Sequence, residues 1–289
     1  MKEKCKAIAW SGLYLVIDLA SLTLLSFILS FIVMVAGIQL GMFSADQMQN
    51  FQGVLAKLIQ YIQQGNPLMI LNFVQELITL ACFGLWYYFR EKKYQYRPNY
   101  KKAFSIKNVL SIAGIAFLGQ YALDLLMILV YFVMPGIFAQ YVDLMKNLEI
   151  NAANPVLMIF CVGIFGPLVE EVLFRGMVFG KLRRVFSFWP AALISGAIFG
   201  LYHMNLVQGI YAGVFGIILA YVFEKTETIW GCYLLHAFFN LSSYVIEGYE
   251  TALRSVGFEM PVLIQLLFGF VSVFVIVLLL KNFKKRAEQ

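Results

Sequence analysis

The sequence has little charge for its length. Charged residues make up 13% of its 289 residues and hydrophobic residues 61%, whereas soluble domains are about a quarter charged and about half apolar. A mean hydropathy of +0.79 agrees with this imbalance. The shortage of charge argues against a soluble enzyme, and the net charge of +6 is explained below by topology. The composition therefore indicates a protein embedded in a lipid bilayer, with no nucleic acid among its partners.

Cysteine is also scarce. The four cysteines are scattered along the chain, and no two of them form a C-x-x-C pair. This spacing predicts neither a disulfide framework nor a zinc knuckle. The apolar stretch that follows Lys6 is too long for the core of a signal peptide, so it is expected to be the first membrane span.

Long apolar runs are abundant instead. A helix needs about 20 apolar residues to cross the hydrocarbon core, and the sequence offers eight such runs. We therefore predict an all-α fold, a polytopic membrane bundle of about eight transmembrane helices that forms one membrane domain over residues 1–289. The predicted spans are 8–36, 68–89, 108–134, 156–180, 188–206, 207–223, 229–246 and 261–280.

Lysine and arginine predict the orientation of these spans. If the N-terminus is cytoplasmic, the inside segments carry 18 of the 22 basic residues, and the outside loops carry three. Basic residues accumulate on the cytoplasmic side of membrane proteins, so both termini are expected in the cytoplasm. The membrane would be a bacterial plasma membrane or, in a eukaryote, the endoplasmic reticulum. The outside loop 44–67 has a capping box at Ser44 and an apolar stripe, which predict a helix on the membrane surface.

Several acids interrupt the predicted spans. Asp18, Glu76 and Asp124 each lie alone in a span, and none has a partner at a spacing that suggests chemistry. A charge at the bilayer centre costs about 3 kcal/mol even on the mildest scales. Each of the three acids is therefore either paired within the bundle, close to an interface, or functional.

The stretch "GPLVEEVLFRG" at 166–176 concentrates three charges in one span. Glu171 and Arg175 are four residues apart and lie on one helical face, where they can neutralise each other. Glu170 is rotated by about 100° from Glu171 and faces elsewhere. Pro167 and nearby glycines predict an irregular helix at this point. Glu170 is therefore the acid that remains available for chemistry.

The two histidines of the chain both lie in later spans. His203 follows Phe199 by one turn, and His236 precedes Asn240 by one turn. If these residues share an interior cavity with Glu170, the group contains a base, two imidazoles and an amide. Such a set can activate water and stabilise an oxyanion. Small residues at Gly196, Gly200, Gly209 and Gly213 would bring the helices close together.

Three ordered motifs make the second half resemble a known family. "EEVLFR" matches E-E-x-x-x-R, "FGLYH" matches F-x-x-x-H, and "HAFFN" matches H-x-x-x-N/D. In this order they resemble the CPBP family of intramembrane proteases, also called ABI. The family includes CAAX prenyl endopeptidases and bacterial members linked to bacteriocin processing or self-immunity. The resemblance covers residues 155–245, which would form the catalytic core.

The resemblance implies hydrolysis of a peptide bond inside the membrane. Glu170 and His203 would activate the attacking water, and His236 and Asn240 would stabilise the oxyanion. Glu171 and Arg175 would hold the site together, with Phe199 in support. The substrate would be a membrane-associated peptide, either lipidated and CAAX-like or of a leader or bacteriocin type.

The residues themselves leave two questions open. Glu170, His203 and His236 are a reasonable ligand set for zinc, but a metal-free glutamate mechanism is an equal alternative, because no H-E-x-x-H motif is present. The same acid and imidazoles also occur in proton-coupled carriers, and the fold can serve a non-catalytic immunity or scaffold protein. Repeated halves, which many carriers show, are not visible in the sequence.

Overall fold

A computed structural model describes residues 2–39, 65–91, 104–147 and 154–283, together with 52–54, 56 and 100. All regular secondary structure in these residues is helical. This follows from the apolar composition, because a segment in lipid must satisfy its backbone hydrogen bonds internally. The surface helix predicted for 44–67 lies largely outside the described residues.

The helices are numbered here in chain order. They are α1 (Lys2–Gln39), α2 (Gly65–Trp86, continued by a π-helical turn Tyr87–Glu91), α3 (Ile106–Val133), α4 (Pro135–Asn147), α5 (Pro155–Arg183), α6 (Phe188–Tyr202), α7 (Leu206–Thr226), α8 (Ile229–Ser255) and α9 (Val262–Leu280).

Seven of these helices are long and apolar enough to cross a membrane. All eight predicted spans coincide with helices, and the predicted membrane bundle is confirmed. The fifth predicted span, 188–206, differs in length, because α6 ends at Tyr202 after 15 residues. At 1.5 Å per residue α6 is about 22 Å long, which is shorter than the ~30 Å hydrocarbon core. By length alone, α6 is therefore too short to cross the full core.

The helix α5 is irregular around the charged stretch. It contains two π-helical segments, Ile159–Phe165 and Val172–Phe179, which flank an ordinary α-helical turn from Gly166 to Glu171. Pro167 lies directly after the first π-helical segment, and its missing N–H removes one backbone donor from the interior of the helix. π-helical segments are frequent at functional sites, and here they enclose both glutamates.

Helices α6 and α7 pack tightly through the predicted glycines. A Cβ atom placed on Gly196 would lie 2.8 Å from the carbonyl oxygen of Gly213, and one on Gly209 would lie 2.9 Å from the carbonyl oxygen of Gly200. Only hydrogen side chains permit this approach. The reversal between the two helices occurs at Met204, whose φ of 53° is left-handed, and the Asn205 side chain accepts a hydrogen bond from the backbone N–H of Gln208 at the start of α7.

The remaining helices surround this pair. In α3, Gln120 donates from Nε2 to the carbonyl oxygen of Phe239 in α8 over 2.7 Å. In α1, the fully buried Asp18 accepts a 2.7 Å hydrogen bond from the hydroxyl of Tyr202 at the end of α6. The outer faces carry exposed apolar side chains such as Phe270 and Phe274 of α9, as expected for surfaces in contact with lipid.

Candidate active site

A cavity of about 330 Å³ lies in the middle of the bundle. Four of the predicted catalytic residues border it: Glu170 from α5, His203 after the end of α6, and His236 and Asn240 from α8. The structure thus brings three distant segments of the sequence to one site. The lining also includes Phe199 and further polar side chains that the sequence did not single out as catalytic, namely Glu76, Gln120, Gln208, Tyr211 and Ser243.

The depth of the site along the helices tests the predicted span boundaries. Counted along the predicted spans, Glu170 lies about 16 Å, His236 about 10 Å and His203 about 22 Å from the cytoplasmic edge, whereas residues of one site should lie level. In the structure α5 continues to Arg183, while α6 begins at Phe188 as predicted. All three side chains nevertheless border one cavity, so a distance counted from a helix end does not give the depth of a residue in the bundle.

Glu171 and Arg175 lie behind the cavity rather than in it. Both side chains have 0% exposure, and Arg175 Nη1 lies 3.0 Å from Glu171 Oε1. Arg175 Nη2 also donates to the carbonyl oxygen of Gly216 in α7 over 3.1 Å. A buried charge is tolerable only when it is paired and hydrogen-bonded. The predicted pair therefore exists, and it also ties α5 to α7.

Glu171 has a second partner that the sequence did not reveal. Its Oε1 lies 2.8 Å from Nδ1 of His236. A carboxylate paired with arginine only accepts hydrogen bonds, so Nδ1 of His236 is the donor. The other ring nitrogen, Nε2, lies 3.7 Å from Oε2 of Glu170. Glu171 thus orients His236 so that its free nitrogen faces the carboxylate in the cavity.

His203 is held in a similar way by a backbone group. Its Nδ1 lies 2.8 Å from the carbonyl oxygen of Phe199, one turn earlier in α6. Because a carbonyl oxygen accepts, Nδ1 carries the proton and Nε2 is the nitrogen left for the cavity. The ring of Phe199 contacts His203 edge to face, with centroids 4.8 Å apart, and lies 4.7 Å from the guanidinium of Arg175. Phe199 therefore packs between the buried ion pair and His203.

Glu170 and Asn240 complete the polar wall. The Glu170 side chain is 26% exposed, in contrast to the fully buried Glu171. Asn240 donates from Nδ2 to the carbonyl oxygen of Val162 over 2.8 Å, within the first π-helical segment of α5. An amide nitrogen has two N–H groups, so one donor remains for a bound group. The structure places both residues at the cavity, and their catalytic roles remain predictions.

The side chains at the cavity include the types of ligand that bind zinc. Both histidines anchor Nδ1 on an oxygen and leave Nε2 available, which is the usual arrangement of zinc-binding histidines, and Glu170 would add a carboxylate. Among the described residues, however, no three His, Cys, Asp or Glu side chains are close enough together to hold an ion as they stand. Zinc at Glu170, His203 and His236 therefore remains a prediction that needs side-chain rotation.

The three isolated acids of the first half have different surroundings. Asp18 is bonded to Tyr202, away from the cavity. Asp124 borders a separate cavity with Glu250 and Arg254. Glu76 lines the same cavity as Glu170. These three acids could not be told apart from the sequence, because their neighbours come from helices that are distant along the chain.

Comparison with known proteins agrees with the family resemblance of the second half. Residues 152–242 match the family described as "Type II CAAX prenyl endopeptidase Rce1-like". The chain is 28% identical over 151 residues to the "Putative membrane peptidase YdiL" of Bacillus subtilis (strain 168), which covers 52% of this chain and 61% of that protein. It is 38% identical over 89 residues to the "Membrane-embedded CAAX protease MroQ" of Staphylococcus aureus (strain USA300), which covers 28% of this chain and 36% of that protein.

These matches have a limited extent. They span about three fifths of the length of the first relative and about a third of the second. No solved structure matches the chain significantly. The family match begins at residue 152, close to the start of α5, and it ends just after Asn240, so it contains all three motifs. The resemblance to a family of CAAX-type membrane proteases is therefore confirmed for the second half of the chain.

Proposed function

We propose that this protein is an intramembrane endopeptidase that hydrolyses a peptide bond of a membrane-associated peptide. The observation that carries this proposal is the single cavity that holds the Glu170 carboxylate, the free nitrogens of His203 and His236, and the Asn240 amide. The family match and the two relatives support it. Substrates of the lipidated CAAX-like type and of the leader or bacteriocin type both suit a site within a membrane bundle.

The geometry suggests a division of labour among these residues. Glu170 and Nε2 of His203 would hold a water molecule beside the scissile carbonyl, and Glu170 would accept one proton from it. The resulting hydroxide oxygen would bond to the carbonyl carbon. When the C–N bond breaks, the proton held by Glu170 would pass to the departing amine. Each turnover would thus consume one water and restore the carboxylate.

His236 and Asn240 would stabilise the charge on the carbonyl oxygen. A proton on Nε2 of His236 would supply one donor, and the Glu171 carboxylate on Nδ1 would balance the charge of the ring. The remaining N–H of Asn240 would supply a second donor. If zinc is bound, Glu170, His203 and His236 would hold it, and it would supply Lewis-acid polarisation of the carbonyl.

Cleavage by the purified protein tests the proposal. The probe is an internally quenched, lipid-anchored peptide presented to wild type in nanodiscs. Glu170→Gln, His203→Ala and His236→Ala should each reduce kcat/KM by roughly 10²-fold or more. Asp124→Asn is the matched control, because it removes an intramembrane acid that lies outside this cavity. If all three cavity variants cleave as well as wild type, the proposal is wrong.

Further measurements distinguish the peptidase from a carrier and from a non-catalytic protein. A proton-coupled carrier would drive substrate uptake into proteoliposomes along a pH gradient and would cleave nothing. A non-catalytic immunity or scaffold protein would keep its cellular phenotype when Glu170 is replaced. Metal analysis of protein purified without a histidine tag, together with cleavage in the presence of a chelator, distinguishes the zinc and metal-free mechanisms.

A further inference from the structure

Glu76 is a second carboxylate in the candidate active site, and it comes from outside the matched family region. It lies in α2, whereas the family match covers residues 152–242. It borders the same cavity as Glu170, His203 and His236. The acid therefore lies where a bound peptide would pass, although no motif includes it.

The Glu76 carboxylate lies close to the backbone of α5. A Cβ atom placed on Gly166 would lie 3.2 Å from Oε1 of Glu76. Gly166 precedes Glu170 by four residues, so α2 presents its acid beside the same turn that carries the proposed base. The other oxygen, Oε2, is buried and accepts no hydrogen bond from any described residue.

Among the described residues, the cavity lining has no permanently cationic side chain to balance this acid. Neither lysine nor arginine is among the described residues that line it. Arg175 lies behind the wall and is already bonded to Glu171 and Gly216. An ionised carboxylate in a low-dielectric site is costly unless a cation or donor approaches it. A cationic group of a bound peptide would therefore stabilise the ionised form of Glu76.

Other buried acids of the described chain show what Glu76 lacks. Glu171 is paired with Arg175 at 3.0 Å, and Glu224 is paired with Arg183 at 2.8 Å. Asp18 accepts a hydrogen bond from Tyr202. Each of these partners belongs to the protein itself. For Glu76 the partner is expected to arrive with the substrate.

We propose that Glu76 is a specificity-determining residue that binds a cationic group of the substrate close to the scissile bond. The group is a lysine or arginine side chain or a free amino terminus. This inference rests on the proposed peptidase function, because it concerns the peptide that occupies the same cavity. Charge complementarity of this kind selects partners by favouring one charge and excluding the other.

The test compares matched lipid-anchored, internally quenched peptides. Each pair carries either lysine or acetyl-lysine at one of the three positions on either side of the scissile bond, and one further pair carries a free or an acetylated amino terminus. Acetyl-lysine keeps the length of the side chain and removes its charge. Wild type should cleave the charged member of at least one pair with a kcat/KM about tenfold higher or more.

The variants assign that preference to Glu76. Glu76→Gln should reduce the ratio of charged to uncharged peptide cleavage to about one, and Glu76→Asp should keep most of the preference. The matched control, Asp124→Asn, should keep the wild-type ratio. A wild-type ratio near one at every position overturns the proposal, even if Glu76→Gln does not fold. An unchanged ratio in folded Glu76→Gln also overturns it.

Binding measurements separate this inference from the proposed function. Fluorescence anisotropy of the same peptides with wild type and Glu76→Gln in nanodiscs gives affinity ratios without any cleavage. Charge-selective binding that depends on Glu76, without hydrolysis, would support the inference and contradict the peptidase proposal. Hydrolysis without charge selection in either assay would support the peptidase proposal and contradict the role of Glu76.

Discussion

The helices before residue 152 and those after it contribute to the cavity in different ways. The later half, from α5 onward, holds the motif residues in a tightly packed core, with Glu171 and Arg175 fully buried and glycines at the contact of α6 and α7. The earlier half is more open to lipid, and it sends single polar side chains inward: Asp18 to Tyr202, Gln120 to Phe239, and Glu76 into the cavity.

Under the proposed function, the later half would carry out the chemistry and the earlier half would contribute to substrate recognition. The later half supplies hydrogen-bonded groups whose orientation is fixed by neighbours, as preorganised catalysis requires. The earlier half supplies an acid with no internal partner. Since fold-level likeness does not by itself define a substrate, two proteins with the same later half can differ in substrate through the earlier half. The following predictions test that division.

The largest expected effect is on kcat/KM, and it should differ between variants of Glu170 and Glu76. Glu170→Gln should reduce cleavage of every peptide by about 10²–10⁴-fold, because it removes the proposed base. Glu76→Gln should mainly change the relative cleavage of peptides that differ in charge near the cavity. Steady-state kcat/KM on charged and uncharged peptides checks both. Equal losses on all peptides in the two variants would erase the distinction between the halves.

Replacement of the buried Arg175 should have an effect nearly as large, but on the stability of the fold rather than directly on catalysis. Arg175→Met leaves the Glu171 carboxylate buried without its cation, which costs roughly 3–5 kcal/mol. We expect a lower unfolding temperature in detergent and a low yield of folded protein. The double variant Glu171→Gln/Arg175→Met should recover part of the loss, because it removes the unpaired charge. A single variant that unfolds at the wild-type temperature would contradict this role.

The sequence predicted the later half better for a physical reason. Glu171 and Arg175 are one turn apart, so their contact is a local property of one helix, and the motifs identified the cavity residues together. The bond between Glu171 and His236 joins two helices and has no local signal. Glu76 is similar: its spacing from Glu170 along the chain has no meaning until the helices pack. Hydropathy predicted the spans but placed the end of α6 four residues too late, because the left-handed turn at Met204 stops it.

Glycine substitutions should show the contrast in packing density. Gly196→Ala would bring a Cβ to 2.8 Å from the Gly213 carbonyl oxygen, and overpacking of this kind costs about 1–3 kcal/mol. Gly12 in α1 has nothing within 4 Å of such a Cβ, so Gly12→Ala should be neutral or slightly stabilising. Thermal unfolding of both variants in the same detergent tests this. Equal destabilisation would mean that the two halves are packed alike.

Loss of the hydrogen bond between Asp18 and Tyr202, which joins the two halves, should have a smaller effect on stability. Tyr202→Phe removes the 2.7 Å hydrogen bond to Asp18 and leaves a buried carboxylate with one donor fewer, at a cost of about 1–2 kcal/mol. Stability should fall while the lysine preference of cleavage stays at the wild-type ratio. A changed preference without a stability loss would show that α1 acts on the cavity itself.

The smallest expected effect concerns the free carboxylate at the end of a CAAX-like peptide. Such a group near the cavity would add a negative charge to those of Glu76 and Glu170, with no lysine or arginine in the described lining to balance it. Like charges several ångströms apart in a partly buried site repel by about 1 kcal/mol. Peptides that end in a carboxamide should therefore be cleaved with a kcat/KM several-fold higher than the matched free acids.

Variants then show whether Glu76 causes that difference. The advantage of the amide should shrink in Glu76→Gln and stay unchanged in Asp124→Asn, whose acid borders a different cavity. If the free acid is cleaved as fast as the amide by wild type, the cavity does not select by charge at that end of the peptide. In that case the earlier half would contribute to recognition only on the amino-terminal side of the scissile bond. The lysine and acetyl-lysine peptides that are substituted on that side test this contribution separately.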